Sequence, residues 1–343
     1  MKITKILVAL LFSFAVSTAY AGELTVSGSM ETTYQSETTG VTGNPLGMDK
    51  ELKFSGSTEL DNGITVSVMQ DTSDALAFGN SQISFGNVGG LATIYVGSDS
   101  DPVDAIDDIT PSAYEEANGS GSGTYNDIGL NAAQMGIGAK FDLPFLGSVN
   151  YKYYPKTDGT KNADNNASGA TAAAAGSTKG SGSSLSIKTN VGDLPVVGAF
   201  ADGLVLTTGY SEQDHSAVNA VDDAFDLTVA LNYSTGAFKF GAQKKLHNEG
   251  EGATAATTDA TWYKDTVYGI AYAINDQLSV SYNRYESYKH DNTGAKNQET
   301  DAFNIGYTVG GMTIGFQEAN TDNANHVTNS EDDTRTIGIS VAF

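Results

Sequence analysis

Thr336-Ile337-Gly338-Ile339-Ser340-Val341-Ala342-Phe343, the last eight residues, place Ile337, Ile339, Val341 and Phe343 on one face of an extended strand. Thr336, Gly338, Ser340 and Ala342 fall on the other. One face suits lipid and the other water. The same alternation sets Phe225, Leu227, Val229, Leu231 and Tyr233 against Asp226, Thr228, Ala230 and Asn232, and Phe303, Ile305, Tyr307 and Val309 against Asn304, Gly306 and Thr308. Similar segments cover 24–35, 50–60, 64–71, 80–87, 91–97, 135–143, 147–154, 183–190, 204–212, 237–246, 262–274, 278–288 and 312–318. The total is about sixteen, an even number of the size that leaves an aqueous lumen in a closed barrel. The expected fold is therefore all-β, a transmembrane antiparallel β-barrel of about 16 strands.

The connections support this reading. Tight links at Asp61-Asn62-Gly63, Val88-Gly89-Gly90, Pro144-Phe145-Leu146, Thr235-Gly236, Asn275-Asp276-Gln277 and Gly310-Gly311 alternate with long polar ones. Membrane barrels gather short turns at one end and long loops at the other. Three places fit less well: the link 191–203 is long for a short turn, the stretch 125–134 changes phase and would need a bulge, and Arg284 shares the parity of apolar Leu278, Val280 and Tyr282.

The N-terminus carries Lys2 and Lys5, an apolar run over 6–16 and then Ala19-Tyr20-Ala21. That is a secretory leader with an A-x-A cleavage site, too short to span a membrane, and it divides the chain into a signal peptide at 1–21 and a barrel at 22–343. Two of the 18 basic residues sit in the leader, leaving 41 acids against 16 bases, a formal charge of −25. Such a charge excludes phosphate-neutralising nucleic-acid binding. Cysteine is absent, so an exported fold must be held without crosslinks, and no run of about 18 apolar residues follows the leader.

Catalysis finds little support. No G-x-S-x-G, G-x-G-x-x-G, P-loop or H-E-x-x-H pattern occurs, and His215, His247, His290 and His326 fall in separate predicted loops. Paired carboxylates such as Asp107-Asp108 and Glu115-Glu116 point to opposite faces if extended. The competing class is a secreted acidic β-rich surface, structural or adhesive protein, which would share the leader, the charge and the lack of Cys. It has no need of a terminal aromatic strand.

The leader, the strand end Tyr95-Val96-Gly97, the acidic loop after it, the alternating hairpins and the C-terminal Val341-Ala342-Phe343 together resemble Gram-negative porins, in particular those of alphaproteobacteria. The resemblance implies an outer-membrane channel for passive diffusion of small hydrophilic solutes and ions, assembled as a homotrimer among outer-membrane lipid and lipopolysaccharide. It also implies an insertion machinery that reads the last strand, with Ile337, Ile339, Val341 and Phe343 as the assembly signal, and a third loop folded inward as a constriction.

In this chain the third long loop, 98–124, carries Asp99, Asp101, Asp104, Asp107, Asp108, Glu115 and Glu116 and no base. Charged rings at a constriction set ion preference, so small cations are expected to be favoured. Inward parity assigns Lys53, Lys140, Lys152, Lys188 and Lys239 to the lumen wall, opposite those acids. Lysines replace the arginines that similar porins use there, which alters the geometry of the field. No cofactor is expected beyond a structural calcium, for which Asp99 and Asp101 offer hard oxygen ligands outside any EF-hand pattern. The low-complexity stretch 157–182 forms a fourth long loop, and Tyr34, Tyr151, Tyr153, Tyr210, Tyr233, Trp262, Tyr268, Tyr272 and Tyr282 take outward parity as candidates for interfacial girdles.

Overall fold

Each alternating segment forms a strand in the computed structural model, which describes residues 22, 24–37, 44–72, 78–99, 101–117, 127–157, 179–195, 201–215, 223–250, 261–290 and 294–343. The leader and most of the fourth long loop lie outside the described residues. In order the strands are β1 (Leu24–Glu37), β2 (Leu46–Glu59), β3 (Thr65–Thr72), β4 (Phe78–Val88), β5 (Ala92–Gly97), β6 (Gly136–Leu143), β7 (Gly147–Tyr154) and β8 (Lys179–Asn190). They continue as β9 (Leu204–His215), β10 (Ala224–Thr235), β11 (Phe238–Asn248), β12 (Trp262–Ala273), β13 (Leu278–His290), β14 (Gln298–Val309), β15 (Met312–Asp322) and β16 (Glu331–Ala342). Every strand pairs antiparallel with its sequence neighbours, and β1 pairs with β16 to close the barrel.

The seam joins the first strand to the last. Gly28 N–H donates to the Phe343 carbonyl at 2.9 Å, and Phe343 N–H donates to the Gly28 carbonyl at 3.0 Å. With the ladder closed, no strand edge is left unpaired, the condition for crossing hydrocarbon with strands. The six tight links are turns; at Gly310 the backbone takes φ +60°, which a two-residue hairpin turn demands and glycine meets without strain.

Burial is inverted relative to a soluble protein. Ile337, Ile339 and Val341 are 48%, 41% and 42% exposed, whereas their inward neighbours Thr334 and Thr336 are buried. Fully buried side chains include Gln213, Gln243, Gln298 and Gln317. An apolar exterior around a polar interior suits lipid outside and water within, and it displaces the alternative of a soluble acidic surface protein. Eight of the nine girdle aromatics, Tyr34 through Tyr282, are exposed, and Trp262 stacks on His290.

Several strands run beyond their apolar alternation at the long-loop end: β14 begins at Gln298 and β16 at Glu331. His215, His247 and His290 therefore lie on strands, which corrects their assignment to loops, and only His326 sits in a connecting turn. Above the apolar belt both faces are wet, so the backbone ladder continues without a hydrophobic period. Arg284 belongs to this zone. It faces outward and pairs with Glu286, Glu299 and Asp301, so its parity carries no penalty of an isolated charge in lipid. Residues 127–135 form turns before β6 instead of a bulged strand, and the link after β8 begins with a 3-10 turn at Val191–Asp193.

Candidate functional site

The connection between β5 and β6 is the third long one, and its described part follows the inner wall from β7 around to β1. It is fastened at its start by Asp101. One carboxylate oxygen of Asp101 accepts from the Val103 and Asp104 N–H groups at 2.8 and 3.0 Å, opening the 3-10 turn Asp104–Ile106. The other accepts from Ser184 at 2.6 Å and from the Tyr154 hydroxyl. Lys152 Nζ donates to the Asp99 carbonyl at 2.7 Å and lies 5.0 Å from the Tyr154 ring centre.

Inward amides then hold the backbone that follows, since a segment lacking its own ladder needs partners for its polar groups. Gln243 donates to the Ile106 carbonyl at 2.8 Å and accepts from Ile109 N–H at 3.2 Å. Asn232 donates to Ile109 O, Asn283 to Pro111 O, and Gln317 to both Glu115 O and Glu116 O. Tyr114 reaches β1, where its hydroxyl donates to Glu31 at 2.6 Å.

The seat itself is made by glycine. A Cβ added at Gly209 would lie 2.7 Å from Ile106, and one at Gly269 would lie 2.7 Å from the Pro111 carbonyl. At Gly241, Gly306, Gly315 and Gly338 it would run into Pro111, Ala113 and Tyr114. Gly241 is the cross-strand partner of Gly269, and Gly306, Gly315 and Gly338 are aligned across β14, β15 and β16. These inward positions omit side chains where the segment lies.

Charge is distributed unevenly along it. Lys245 Nζ approaches Asp107 at 2.8 Å and Asp108 at 3.2 Å, with 1% exposure for the lysine side chain and 9% for Asp107. Carboxylate oxygens of Asp107, Asp108 and Asp127 converge within 4.8 Å, and this ammonium pairs with the first two. Burial holds Asp107 above the ordinary carboxylate range, against the pull of Lys245. Glu116 is pushed up to about 8 by burial and then by Asp108. Asp104 opens on the lumen but is walled in by the segment; lost solvation, followed by Asp101, raises it to about 6. Burial and Glu31 raise Glu115.

The expected site residues thus separate into groups. Asp101 and Asp107 are buried and face protein, because their oxygens anchor the segment. Four protein donors occupy Asp101, and a calcium ion would have to displace them. Asp104 and Asp108 are exposed to the lumen. Asp99 lines an open volume of about 370 Å³ with Lys53, Ser55, Ser57, Ser67 and Ser84. Glu115 lines a second, of about 270 Å³, with Glu31, Asp49 and Tyr114. Of the wall lysines, Lys152 is fully buried beneath the segment, so it is a tether and not a lining charge. Lys140, Lys188 and Lys239 lie close to the short-turn ends of β6, β8 and β11, away from the acids. Lys245 went unassigned in the sequence, although it shares the inward parity of Lys239; the anchoring amides and the glycine seat were also missed.

A family model described as Gram-negative porin matches residues 7–308. No curated protein matches the chain by sequence. Among solved structures, the barrel is similar to a porin refined at 1.8 Å resolution, with a TM-score of 0.65 and 14% identity over 94% of this chain and 100% of that one. It is also similar to outer-membrane expressed OmpT of Vibrio cholerae, with a TM-score of 0.66 and 10% identity over 96% and 100% of the two chains. Salmonella typhi OmpF in complex with daunomycin gives a TM-score of 0.64 and 15% identity over 94% and 98%. At such identities the likeness is one of fold.

Proposed function

Because this chain belongs to the Gram-negative porin family, whose outer-membrane barrels are channels and not enzymes, we propose that it is a passive diffusion pore for small hydrophilic solutes and ions that prefers small cations. The observation that carries the preference is the unequal engagement of opposite charges inside the barrel. Lys152 and Lys245 are buried against protein, while Asp104 and Asp108 open on the lumen and Asp99 and Glu115 line its open volumes. Lys53 is the basic side chain that shares the larger volume with Asp99. At physiological salt the Debye length is about 8 Å, so charges lining the narrow part of a channel count and distant loop charges do not.

In this reading the described part of the third loop narrows the channel. The leader is removed after Ala21, the mature chain starts at Gly22, and the protein works as a homotrimer among outer-membrane lipid and lipopolysaccharide. The outward Ile337, Ile339, Val341 and Phe343, all exposed, are what an insertion machinery would read. The reading does not extend to calcium at Asp99 and Asp101, given the donors already on Asp101.

Its test is a comparison of single-channel ion selectivity between two pairs of variants. Asp104→Asn with Asp108→Asn is expected to lower the cation-to-anion permeability ratio, whereas Asp322→Asn with Glu331→Gln, at the outer rim, is expected to leave it near wild type. Equal effects would mean that overall surface charge governs transport and that no acidic constriction exists.

A further inference from the structure

Outward-facing bases on the wall from β11 to β16 are treated in two ways. The arginines are paired within the chain: Arg284 with Glu286, Glu299 and Asp301, and Arg335 with Glu318 at 2.8 Å. The lysines are not. Lys244 of β11 and Lys264 of β12 are exposed, and among the described residues neither meets a carboxylate. Lys244 stands between Val229 and Thr266 in its cross-strand row, and the residue after Thr266 in that row, Glu286, is already held by Arg284 at 2.9 Å. Lys264 stands between Leu246 and Tyr288, with its ammonium 5.2 Å from the Tyr288 ring centre. Tyr288 in turn lies 5.6 Å from Trp262.

Lys244 and Lys264 are diagonal neighbours across β11 and β12, a spacing of about 7 Å that long side chains can close. Like charges so placed repel, and an anion shared between them removes the repulsion. Their surroundings are apolar, since Leu227, Val229 and Tyr268 are exposed beside them. A charge on a lipid-facing wall needs a counter-charge, and a lysine stem carries its ammonium up to the head groups, the level at which Trp and Tyr also settle. We propose, on the basis of the outer-membrane channel reading above, that Lys244 and Lys264, with Trp262 and Tyr288 beside them, form a docking site for the phosphate head of an anionic lipid. The phosphate oxygens accept charge-assisted hydrogen bonds from both ammonium groups. The acyl chains lie along exposed Val229 and Tyr268, which favours a lipid over a free anion. A zwitterionic head brings an ammonium of its own, which competes with the lysines.

Trp262 is the single tryptophan of the chain, so its fluorescence reports on the site directly. The mature protein is reconstituted in phosphatidylcholine vesicles that contain phosphatidic acid with a nitroxide near the top of one acyl chain, or phosphatidylcholine labelled in the same way. The labelled phosphatidic acid is expected to quench Trp262 at a mole fraction about tenfold lower. Lys244→Ala with Lys264→Ala is expected to make the two lipids equivalent, and the corresponding arginine changes, which keep the charge, to retain the preference. Equal quenching by the two lipids in wild type, or a preference untouched by the alanine changes, would overturn the site. A preference abolished by inorganic phosphate but not by chloride at equal ionic strength would overturn lipid docking in favour of a free anion. Conductance in planar bilayers tests the channel separately. Absence of conductance steps would overturn the channel reading, whereas loss of the lipid preference with conductance intact would overturn the site alone.

Discussion

Lys245 of β11 and Asp107 of the internal segment meet at 2.8 Å, both nearly buried, although 138 residues separate them in the chain. Breaking a buried pair by removing one partner leaves an uncompensated charge and costs about 3–5 kcal/mol. Lys245→Met is therefore expected to loosen the segment, read as faster proteolytic nicking within 101–117 and greater open-channel noise. Adding Asp107→Asn to that variant should recover part of the loss, since the orphaned carboxylate is then gone. An unchanged nicking rate in the single variant would show that the pair does not hold the segment.

The glycine seat predicts an effect from a single methyl. Gly315→Ala places Cβ 2.1 Å from the Tyr114 ring, far inside contact distance. The segment must shift, and single-channel conductance should change by a readily measured fraction. Gly86→Ala is the control: its nearest heavy atom would be 3.7 Å away, an ordinary contact, and conductance should match wild type.

The two sides of each strand were not equally legible. Outward residues such as Ile337 to Phe343 and Leu227 to Tyr233 meet lipid, and lipid enforces a strict apolar period; hence all sixteen strands could be read from residues alone. Inward residues meet water, loop backbone or one another, and a polar lumen tolerates serine, glycine, glutamine or lysine alike. Parity could place Lys152 and Lys245 inside, but their roles depend on whether Asp99 and Asp107 lie over them, which involves partners more than 50 residues away. The acids of the third loop looked uniform in sequence. Folding divides them by burial: Asp101 and Asp107 are buried against their donors, whereas Asp104 and Asp108 stay exposed, Asp108 while sharing Lys245 with Asp107.

Selectivity should depend on pH. Asp104, raised to about 6, and Glu116, raised to about 8, are increasingly neutral at pH 5 and ionised at pH 9. The cation-to-anion permeability ratio is expected to rise across that window. The linkage has the opposite sign for docking of the segment. A carboxyl whose folded value is raised favours the docked state at low pH, and that contribution is lost as pH climbs from the ordinary carboxylate range through 6 to 8. Protease protection of 101–117 should therefore fall as the pH rises, and a protection that increased with pH would contradict the assignment.

The C-terminal residue separates two functions. Deleting Phe343 removes both hydrogen bonds to Gly28 and frays the β1–β16 seam, so refolding yield in detergent should fall. Phe343→Ala keeps those backbone bonds and should refold in detergent near wild-type yield, while assembling less well in cells if the exposed ring is what the insertion machinery reads. Equal loss in both variants and both settings would assign the residue to barrel closure alone.

An acidic, cation-preferring passage beside the internal segment should show itself in the reversal potential of wild-type single channels under a salt gradient. With potassium chloride more concentrated on one side, the expected reversal potential has the sign that reports potassium moving more readily than chloride at neutral pH. A reversal potential of zero or of the opposite sign would contradict it.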